Sequence, residues 1–255
     1  MKFNLREYMF RAWYWYVNKK DKNAEVLFMN YGYSDDNQIV NLNEKDENNR
    51  YSIQLYHHLA NEVNIKDKDI LEIGCGRGGG LFYVTETFSP KTAFGIDLDK
   101  IAVDFSNKHY TNKELSFQQG DAQNLDLEDN SRDIILNVES SHRYPDMKSF
   151  LSEVSRILKQ DGYFLYTDFR YNHEMDELKE QLNSSGLKII KEKMITPNVV
   201  RALELDDKRK RKLVDKLVPG LIKSIALNFA GTIGSETYSQ FVERKYIYYS
   251  YILQK

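Results

Sequence analysis

The sequence predicts an α/β fold with a seven-stranded, mostly parallel sheet. From residue 69 onward, short apolar runs alternate with amphipathic segments of helical period, a pattern typical of strand–helix–strand crossovers. A glycine-rich turn follows the first apolar run, as it does at the ligand-binding edge of doubly wound sheets. A chain of 255 residues can bury one substantial core, so we expect a single domain.

The apolar runs that we predict as strands cover residues 70–73, 93–96, 115–118, 133–138, 163–167, 187–193 and 246–253. Helical spacing of apolar residues predicts two helices ahead of the sheet, over residues 6–17 and 50–63. The pairs Asp161-Gly162 and Ser185-Gly186 are predicted to end helices just before a strand. The polar, asparagine-rich stretch from residue 35 to 49 is predicted to form a mobile loop.

Composition excludes several classes of protein. With 36 Lys and Arg against 38 Asp and Glu, the net charge of -2 offers no basic field to attract nucleic acid, so no nucleic-acid partner is expected. A single cysteine and a start without an apolar signal region favour a reducing cytoplasm. No stretch is apolar over the 18 or more residues that a membrane span requires.

The strongest motif is the strand 70–73 running into Gly74-Cys75-Gly76-Arg77-Gly78-Gly79-Gly80. Gly74, Gly76 and Gly79 also satisfy the G-x-G-x-x-G pattern of dinucleotide-binding dehydrogenases, so that class must be weighed. Glu72 argues against it, because a carboxylate just before the turn would repel a pyrophosphate and would attract a cationic amino-acid ligand. The motif therefore predicts a sulfonium amino acid as the ligand.

Two further carboxylates follow the next two strands. Asp97 can accept hydrogen bonds from both hydroxyls of a ribose, and Asp121 can accept one from an adenine amino group. Acidic residues at the ends of three successive strands suit an ammonium group, a ribose and an adenine better than phosphates. Cys75 is interpreted as an inert structural thiol, because no base is evident beside it and the turn requires a small residue.

With these residues in place, the chain resembles the class I S-adenosylmethionine-dependent methyltransferases. It is similar in particular to phthiotriol and phenolphthiotriol dimycocerosate methyltransferases and to sugar O-methyltransferases. The segments that carry this likeness, besides the glycine turn, are residues 28–33, 50–58, 137–146, 164–170 and 195–198.

The resemblance implies a Rossmann-like fold with an antiparallel last strand and S-adenosyl-L-methionine as cofactor, leaving S-adenosyl-L-homocysteine as product. It implies that Asn30, Tyr31 and Tyr33 close over the cofactor. It also implies a set of residues that line the cofactor: Glu72, Gly74, Cys75, Gly76, Asp97, Leu98, Asp121, Ala122 and Asn137. We accordingly divide residues 1–255 into an N-terminal helical cap (1–63), a cofactor-binding core (64–197), a helical lid insertion (198–230) and the last strands (231–255).

Two residues are candidates for the chemistry. His142 follows the fourth strand and Asp168 ends the fifth, which lies beside it in a doubly wound sheet. An imidazole held by a carboxylate is a suitable general base for a hydroxyl acceptor, and the resemblance to sugar O-methyltransferases points to the same pair. The alternative is that His142 only orients the substrate and Asp168 only caps a turn. No histidine, including His57 and His58, has metal-ligand spacing, so no metal is expected.

The predicted function is O-methylation of a small-molecule or lipid-like acceptor. Residues 137–140 lack the Asn/Asp-Pro-Pro-aromatic element of nucleic-acid base methyltransferases. Carbon methylation of a quinone, sterol or polyketide stays open, as does a catalytically silent protein that binds the cofactor and regulates a partner. The basic run 208–212 beside an apolar helix face has two interpretations: a solvated helix that packs on the sheet or on a second copy of the chain, or a lid that meets an anionic membrane or carrier surface.

Overall fold

A seven-stranded sheet with strand order β3-β2-β1-β4-β5-β7-β6 organises the molecule. The computed structural model describes residues 16–17, 19–21, 23–38 and 40–255. The strands are β1 (Asp69–Ile73), β2 (Thr92–Asp97), β3 (Leu115–Gln119), β4 (Arg132–Val138), β5 (Leu158–Tyr171), β6 (Lys188–Met194) and β7 (Tyr246–Gln254). Strands β1 to β5 pair in parallel, whereas β7 is antiparallel to both β5 and β6, which confirms the predicted topology.

The α-helices are α1 (Arg50–Ala60), α2 (Gly79–Phe88), α3 (Lys100–His109), α4 (Met147–Ile157), α5 (Met175–Asn183), α6 (Thr196–Leu217), α7 (Lys223–Phe229) and α8 (Glu236–Val242). Most of the predicted helix over residues 6–17 lies outside the described residues, and residues 16 and 17 are helical. Helix α1 confirms the second predicted helix, although it ends three residues earlier.

Alternate strand residues fill two apolar cores, one on each face of the sheet. Ile70 and Ile134 belong to the core that α1, α2, α6 and α8 cover, whereas Leu71 and Ile135 belong to the core beneath α4 and α5. Burial on both faces explains why the strands read as continuous apolar runs in the sequence. Because β1, β2, β4 and β5 run in parallel, their carboxyl ends meet at one edge of the sheet.

Two local predictions are wrong. Asp161-Gly162 does not end a helix: α4 stops at Ile157, and the pair lies inside β5, where Asp161 adopts a left-handed turn with φ 63°. The stretch 35–49 is not loop throughout, because Glu44–Asn49 forms a 3-10 helix that leads directly into α1.

Candidate active site

The glycine turn after β1 is tied to the end of β2 by a carboxylate. Asp97 accepts a hydrogen bond from the Gly76 N–H at 2.7 Å and another from the Asp99 N–H at 2.8 Å. Gly74 has φ 76°, and a Cβ at that position would lie 2.4 Å from Ser140 Oγ, so no larger residue fits. Asp97, which is predicted to bind the ribose, therefore lies directly beside the glycine turn.

Glu72 and Asn137 supply buried hydrogen-bond acceptors at the same sheet edge. Both side chains are fully buried. Tyr56 donates to Glu72 Oε1 at 2.7 Å, and Asn137 Nδ2 donates to the Ile73 carbonyl at 2.8 Å. Glu72 Oε2 and Asn137 Oδ1 have no hydrogen-bond partner among the described residues. Burial raises the pKa of Glu72 to about 8, against the hydrogen bond from Tyr56. A cationic group bound beside Glu72 would lower this pKa and favour the ionised carboxylate.

The other residues predicted at the cofactor have different surroundings. Leu98 is 56% exposed, and Asp121 is exposed and accepts a hydrogen bond from the Gln123 N–H at 3.0 Å. Ala122 and Cys75 are buried in the two apolar cores. Burial raises the pKa of the Cys75 thiol, so the thiol stays protonated. Cofactor contacts at these four residues stay predictions.

A cavity of about 140 Å³ lies between the described residues of the segment 16–31 and the helices α6 and α7. We define its polar end as Glu139, His142, Arg143 and Lys210, of which Glu139 and Lys210 both bond to the Tyr31 backbone. Further polar residues of the lining are Lys20, Asp21, Glu25, Asn30, Asn49, Ser52 and Arg209. The apolar part of the lining consists of Val17, Val26, Phe28, Met29, Phe169, Leu213, Val214, Leu217, Val218, Ala226, Phe229 and Ala230. A Cβ on Gly76 would lie 3.3 Å from Met29 Cε, so the cavity wall reaches the glycine turn.

Asn30 and Tyr31 line this cavity, and their closure over the cofactor stays a prediction. The Tyr31 N–H donates to Glu139 Oε1 at 2.7 Å, and its ring packs against Phe169. Tyr33 lies elsewhere: its ring stacks on His58 with 4.3 Å between centroids, and its side chain is absent from the lining of this cavity. Of the three residues Asn30, Tyr31 and Tyr33, only Asn30 and Tyr31 thus line the cavity.

His142 and Asp168 lie together, as the sequence predicted, but Asp168 does not end its strand, because β5 continues to Tyr171 along its partner β7. His142 Nδ1 lies 2.8 Å from Asp168 Oδ1, and the His142 N–H donates to Asp168 Oδ2 at 2.9 Å. Ser141 and Arg170 also contact this carboxylate. Burial alone would raise the pKa of Asp168, but the charges and hydrogen bonds of His142 and Arg170 hold it well below its usual range. An ionised Asp168 fixes the proton of His142 on Nδ1.

The remaining ring nitrogen of His142 faces a guanidinium. Arg143 Nε donates to His142 Nε2 at 3.1 Å, which requires a lone pair on Nε2. Burial lowers the pKa of His142 below 6.5, against the opposing charge of Asp168, so the ring is neutral at neutral pH. Sequence reasoning did not single out Arg143.

Glu139 is the third titratable group of the polar end. It is not glycine, yet it adopts φ 48°, a strained left-handed conformation that concentrates at functional sites. Its Oε1 also accepts a hydrogen bond from Tyr248 at 2.8 Å. Burial raises the pKa of Glu139 to about 8, against the hydrogen bonds from Tyr31 and Tyr248. No feature of the sequence around Glu139 indicates this strain.

The basic run 208–212 is not the continuous solvated surface that both interpretations assumed. Lys210 is buried and lines the cavity, whereas Arg209 pairs with Asp206 and Arg211 pairs with Asp207. Only Lys208 and Lys212 of the run are exposed. Helical spacing could have predicted the burial of Lys210. The buried face of α6 includes Leu203, Asp206, Lys210 and Val214.

Within the part of the chain that the structure describes, no group of three or more His, Cys, Asp or Glu side chains could hold a metal ion. In the same residues, no helix combines the length and the apolar character needed to cross a membrane.

The fold and the site define a class I methyltransferase. A methyltransferase-domain family model matches residues 71–166. The chain is 41% identical over 82% of its length to a fatty-acid O-methyltransferase of Mycolicibacterium smegmatis, of which it covers 77%. It is 35% identical over 89% of its length to a phthiotriol/phenolphthiotriol dimycocerosates methyltransferase of Mycobacterium tuberculosis, of which it covers 85%. A geranyl diphosphate C-methyltransferase from Streptomyces coelicolor shares the fold, with a TM-score of 0.68 at 15% identity and 98% of both chains covered.

The chain belongs to the S-adenosylmethionine-dependent methyltransferase family, and it is an enzyme that uses this cofactor. The dehydrogenase alternative is therefore wrong. The residues fit the cofactor: the unpartnered oxygens of Glu72 and Asn137 can accept from an ammonium group, and Asp97 can accept from hydroxyls.

Proposed function

We propose that this enzyme methylates an oxygen of a lipid-like acceptor, and that the oxygen is a hydroxyl whose proton His142 removes. The observation that carries the proposal is a largely apolar cavity whose lining includes His142, the ring that Asp168 holds. Apolar lining of this kind favours an acceptor with a hydrocarbon body, and the few polar groups at one end would orient its oxygen. The names of the two curated relatives, which refer to a fatty acid and to phthiotriol, agree with such an acceptor.

Residues of this chain supply positioning and proton transfer in the proposed reaction. When bound, S-adenosylmethionine supplies an electrophilic methyl group whose leaving group is a neutral thioether. Asp168 holds the His142 ring so that Nε2 is the free base, and the acceptor hydroxyl replaces Arg143 Nε as its partner. As the oxygen bonds to the methyl carbon, its proton passes to Nε2. Positioning of the two reactants accounts for much of the expected acceleration.

The cavity fits the reacting end of the acceptor rather than a whole long-chain lipid. Its volume of about 140 Å³ is close to that of a cavity that holds one benzene ring. Helices α6 and α7 form much of its apolar wall, which supports the proposal that residues 198–230 act as a lid. Association with a membrane or carrier surface, a second copy of the chain as partner and a cytoplasmic location also stay proposals.

A second candidate is methylation of a carboxylate, and the contact between Arg143 and His142 Nε2 favours it. A carboxylate is already ionised at neutral pH and needs no base, so two cations, Arg143 and Lys210, would suffice to hold it. The name of the Mycolicibacterium smegmatis relative agrees with this acceptor.

Product analysis distinguishes the two candidates. Purified enzyme would be incubated with S-adenosylmethionine and, separately, a long-chain alcohol and the acid of the same chain length. Formation of a methyl ether that depends on His142 supports the hydroxyl proposal. Formation of a methyl ester that persists in His142→Ala supports the carboxylate candidate. Absence of methylation at any oxygen would overturn both.

A further inference from the structure

Lys210 is a buried cation that the proposed proton transfer from a hydroxyl does not use. It is 8% exposed and lines the cavity from α6. Its Nζ donates to the Ala230 carbonyl at 3.1 Å and to the Tyr31 carbonyl at 3.4 Å. Among the described residues, no carboxylate forms an ion pair with it. Burying an ammonium without a counter-ion is costly, so the charge requires an explanation.

Helix capping does not explain this charge. Ala230 is the C-cap of α7, and a cation near a helix C-terminus is favourable. However, that contribution is small compared with the cost of burying an ammonium. A neutral donor such as glutamine could bond to the same carbonyl. The charge of Lys210 is therefore not needed to hold α7.

Among the described residues, none of the neighbouring acids forms an ion pair with Lys210. Burial lowers the pKa of Lys210 to about 8, and the charges of Asp206 and Glu139 only partly oppose that shift. Tyr31 separates Lys210 from Glu139, because the Tyr31 N–H bonds to Glu139 while the Tyr31 carbonyl bonds to Lys210. With a pKa raised to about 8 by burial, Glu139 is mostly uncharged at neutral pH. Asp206, one turn earlier on α6, is paired with Arg209. Within the described residues, the Lys210 ammonium thus contacts two carbonyls and no carboxylate.

We propose that Lys210 binds a carboxylate of the acceptor, so that the enzyme selects long-chain acids over neutral lipids of the same length. The inference rests on the proposed function, because it assumes that the acceptor enters this cavity. The carboxylate is either the group that is methylated or a second group on a hydroxylated lipid. A methyl ester as product identifies the first case, and a methyl ether of a hydroxy acid identifies the second.

The test compares Lys210→Gln with Lys212→Gln, an exposed lysine on the same helix. Calorimetry in the presence of S-adenosylhomocysteine would measure dissociation constants for a long-chain saturated acid and for the corresponding alcohol. Lys210→Gln keeps a donor for the two carbonyls but removes the charge. We expect it to weaken acid binding about 10- to 100-fold and to change alcohol binding little, whereas Lys212→Gln should leave both unchanged.

A merely structural role predicts a different result. The proposal would be overturned if Lys210→Gln weakened binding of the acid and of the alcohol equally. It would also be overturned if the variant bound both as tightly as the unmodified enzyme. Lys210→Arg should retain the preference for acid. If Lys210→Gln does not fold, the dissociation constants of the unmodified enzyme still test the proposal. Equal affinity for acid and alcohol would exclude carboxylate recognition. Methyl transfer to oxygen, measured in parallel, tests the proposed function separately from acid binding.

Discussion

Asp97 is the residue whose carboxylate joins the glycine turn to the proposed ribose site. We expect Asp97→Ala to weaken binding of S-adenosylhomocysteine by about 1.5 to 3 kcal/mol, the scale of hydrogen bonds to a charged group. Calorimetry on the folded variant measures this loss. Asp104→Ala, on the exposed face of α3, is the matched control. An unchanged dissociation constant for Asp97→Ala would remove Asp97 from the site.

His142 carries the proposed proton transfer. For a hydroxyl acceptor, His142→Ala should lower turnover about 10²- to 10⁴-fold, because general-base assistance is lost. Cofactor affinity should stay nearly unchanged, since His142 lies at the acceptor cavity. His173→Ala, at an exposed histidine, controls for loss of an imidazole. Turnover within a few fold of the unmodified enzyme would show that His142 is not the base.

The pH dependence of the reaction follows from the same ring. Burial lowers the pKa of His142 below its ordinary value of 6.5, although Asp168 opposes the shift. A general base must be neutral, so activity is lost as the pH falls through the lowered pKa and is fully present above it. We expect kcat/KM for a hydroxyl acceptor to be flat from pH 7 to 8 and to fall only below pH 6.5. A rise in kcat/KM that continues above pH 7 would contradict this assignment.

Residues at strand ends could be predicted from the sequence because topology determines where strand ends meet. Glu72 lies near the end of an apolar run, and Asp97, His142 and Asp168 come after the runs 93–96, 133–138 and 163–167, so a parallel sheet places them near one edge. Arg143 has no comparable signal, because its contact with His142 depends on the path of the chain after β4. The burial of Lys210 was predictable from helical spacing, but the charges around it suggested a solvated run.

At the scale of elements, a buried ion pair joins the N-terminal segment to the glycine turn. Arg77 Nη2 lies 3.3 Å from Asp21 Oδ2, and both side chains are almost fully buried. Asp21 in turn accepts hydrogen bonds from the backbone N–H groups of Glu25 and Val26 at the start of the cavity wall. The pair thus connects the wall of the acceptor cavity to the cofactor turn.

We expect Arg77→Met to reduce the free energy of unfolding by about 3 to 5 kcal/mol, because Asp21 would be left as a buried charge without its partner. Urea denaturation measures the loss. Lys100→Met, which breaks the exposed pair with Asp104, should change stability little. The double variant Arg77→Met with Asp21→Asn should recover part of the loss. A loss for Arg77→Met as small as that of the control would show that the pair is not stabilising.

The boundaries of an element were predictable where its apolar run has clear ends. They were less predictable where a turn sets the end of the element. Six of the seven strands were predicted over most of their length, because the central strands are buried on both faces and read as continuous apolar runs. Strand β5 runs from Leu158 to Tyr171, well beyond the predicted residues 163–167 at both ends. The Asp161-Gly162 turn was misassigned because its left-handed residue lies within a strand rather than after a helix. A short 3-10 helix such as Glu44–Asn49 buries no side chain, so no apolar period marks it.

At the scale of the whole molecule, the proposed cofactor site and the proposed acceptor cavity share one wall. The carboxyl edge of the sheet presents Glu72, Asp97 and Asn137, whereas the cavity lies between residues 16–31 and α6 and α7. Met29 lines the cavity and approaches Gly76 of the cofactor turn. The account therefore predicts that a methyl donor at the sheet edge faces an acceptor oxygen at the polar end of the cavity.

The most direct test of that claim is to follow the methyl group. A lipid extract would be incubated with the enzyme and S-adenosylmethionine that carries an isotopically labelled methyl group, and the products would be identified by mass spectrometry. The account predicts label on an oxygen of an acceptor with an apolar chain, together with S-adenosylhomocysteine. Label on carbon or nitrogen, or on a polar metabolite without an apolar chain, would contradict it.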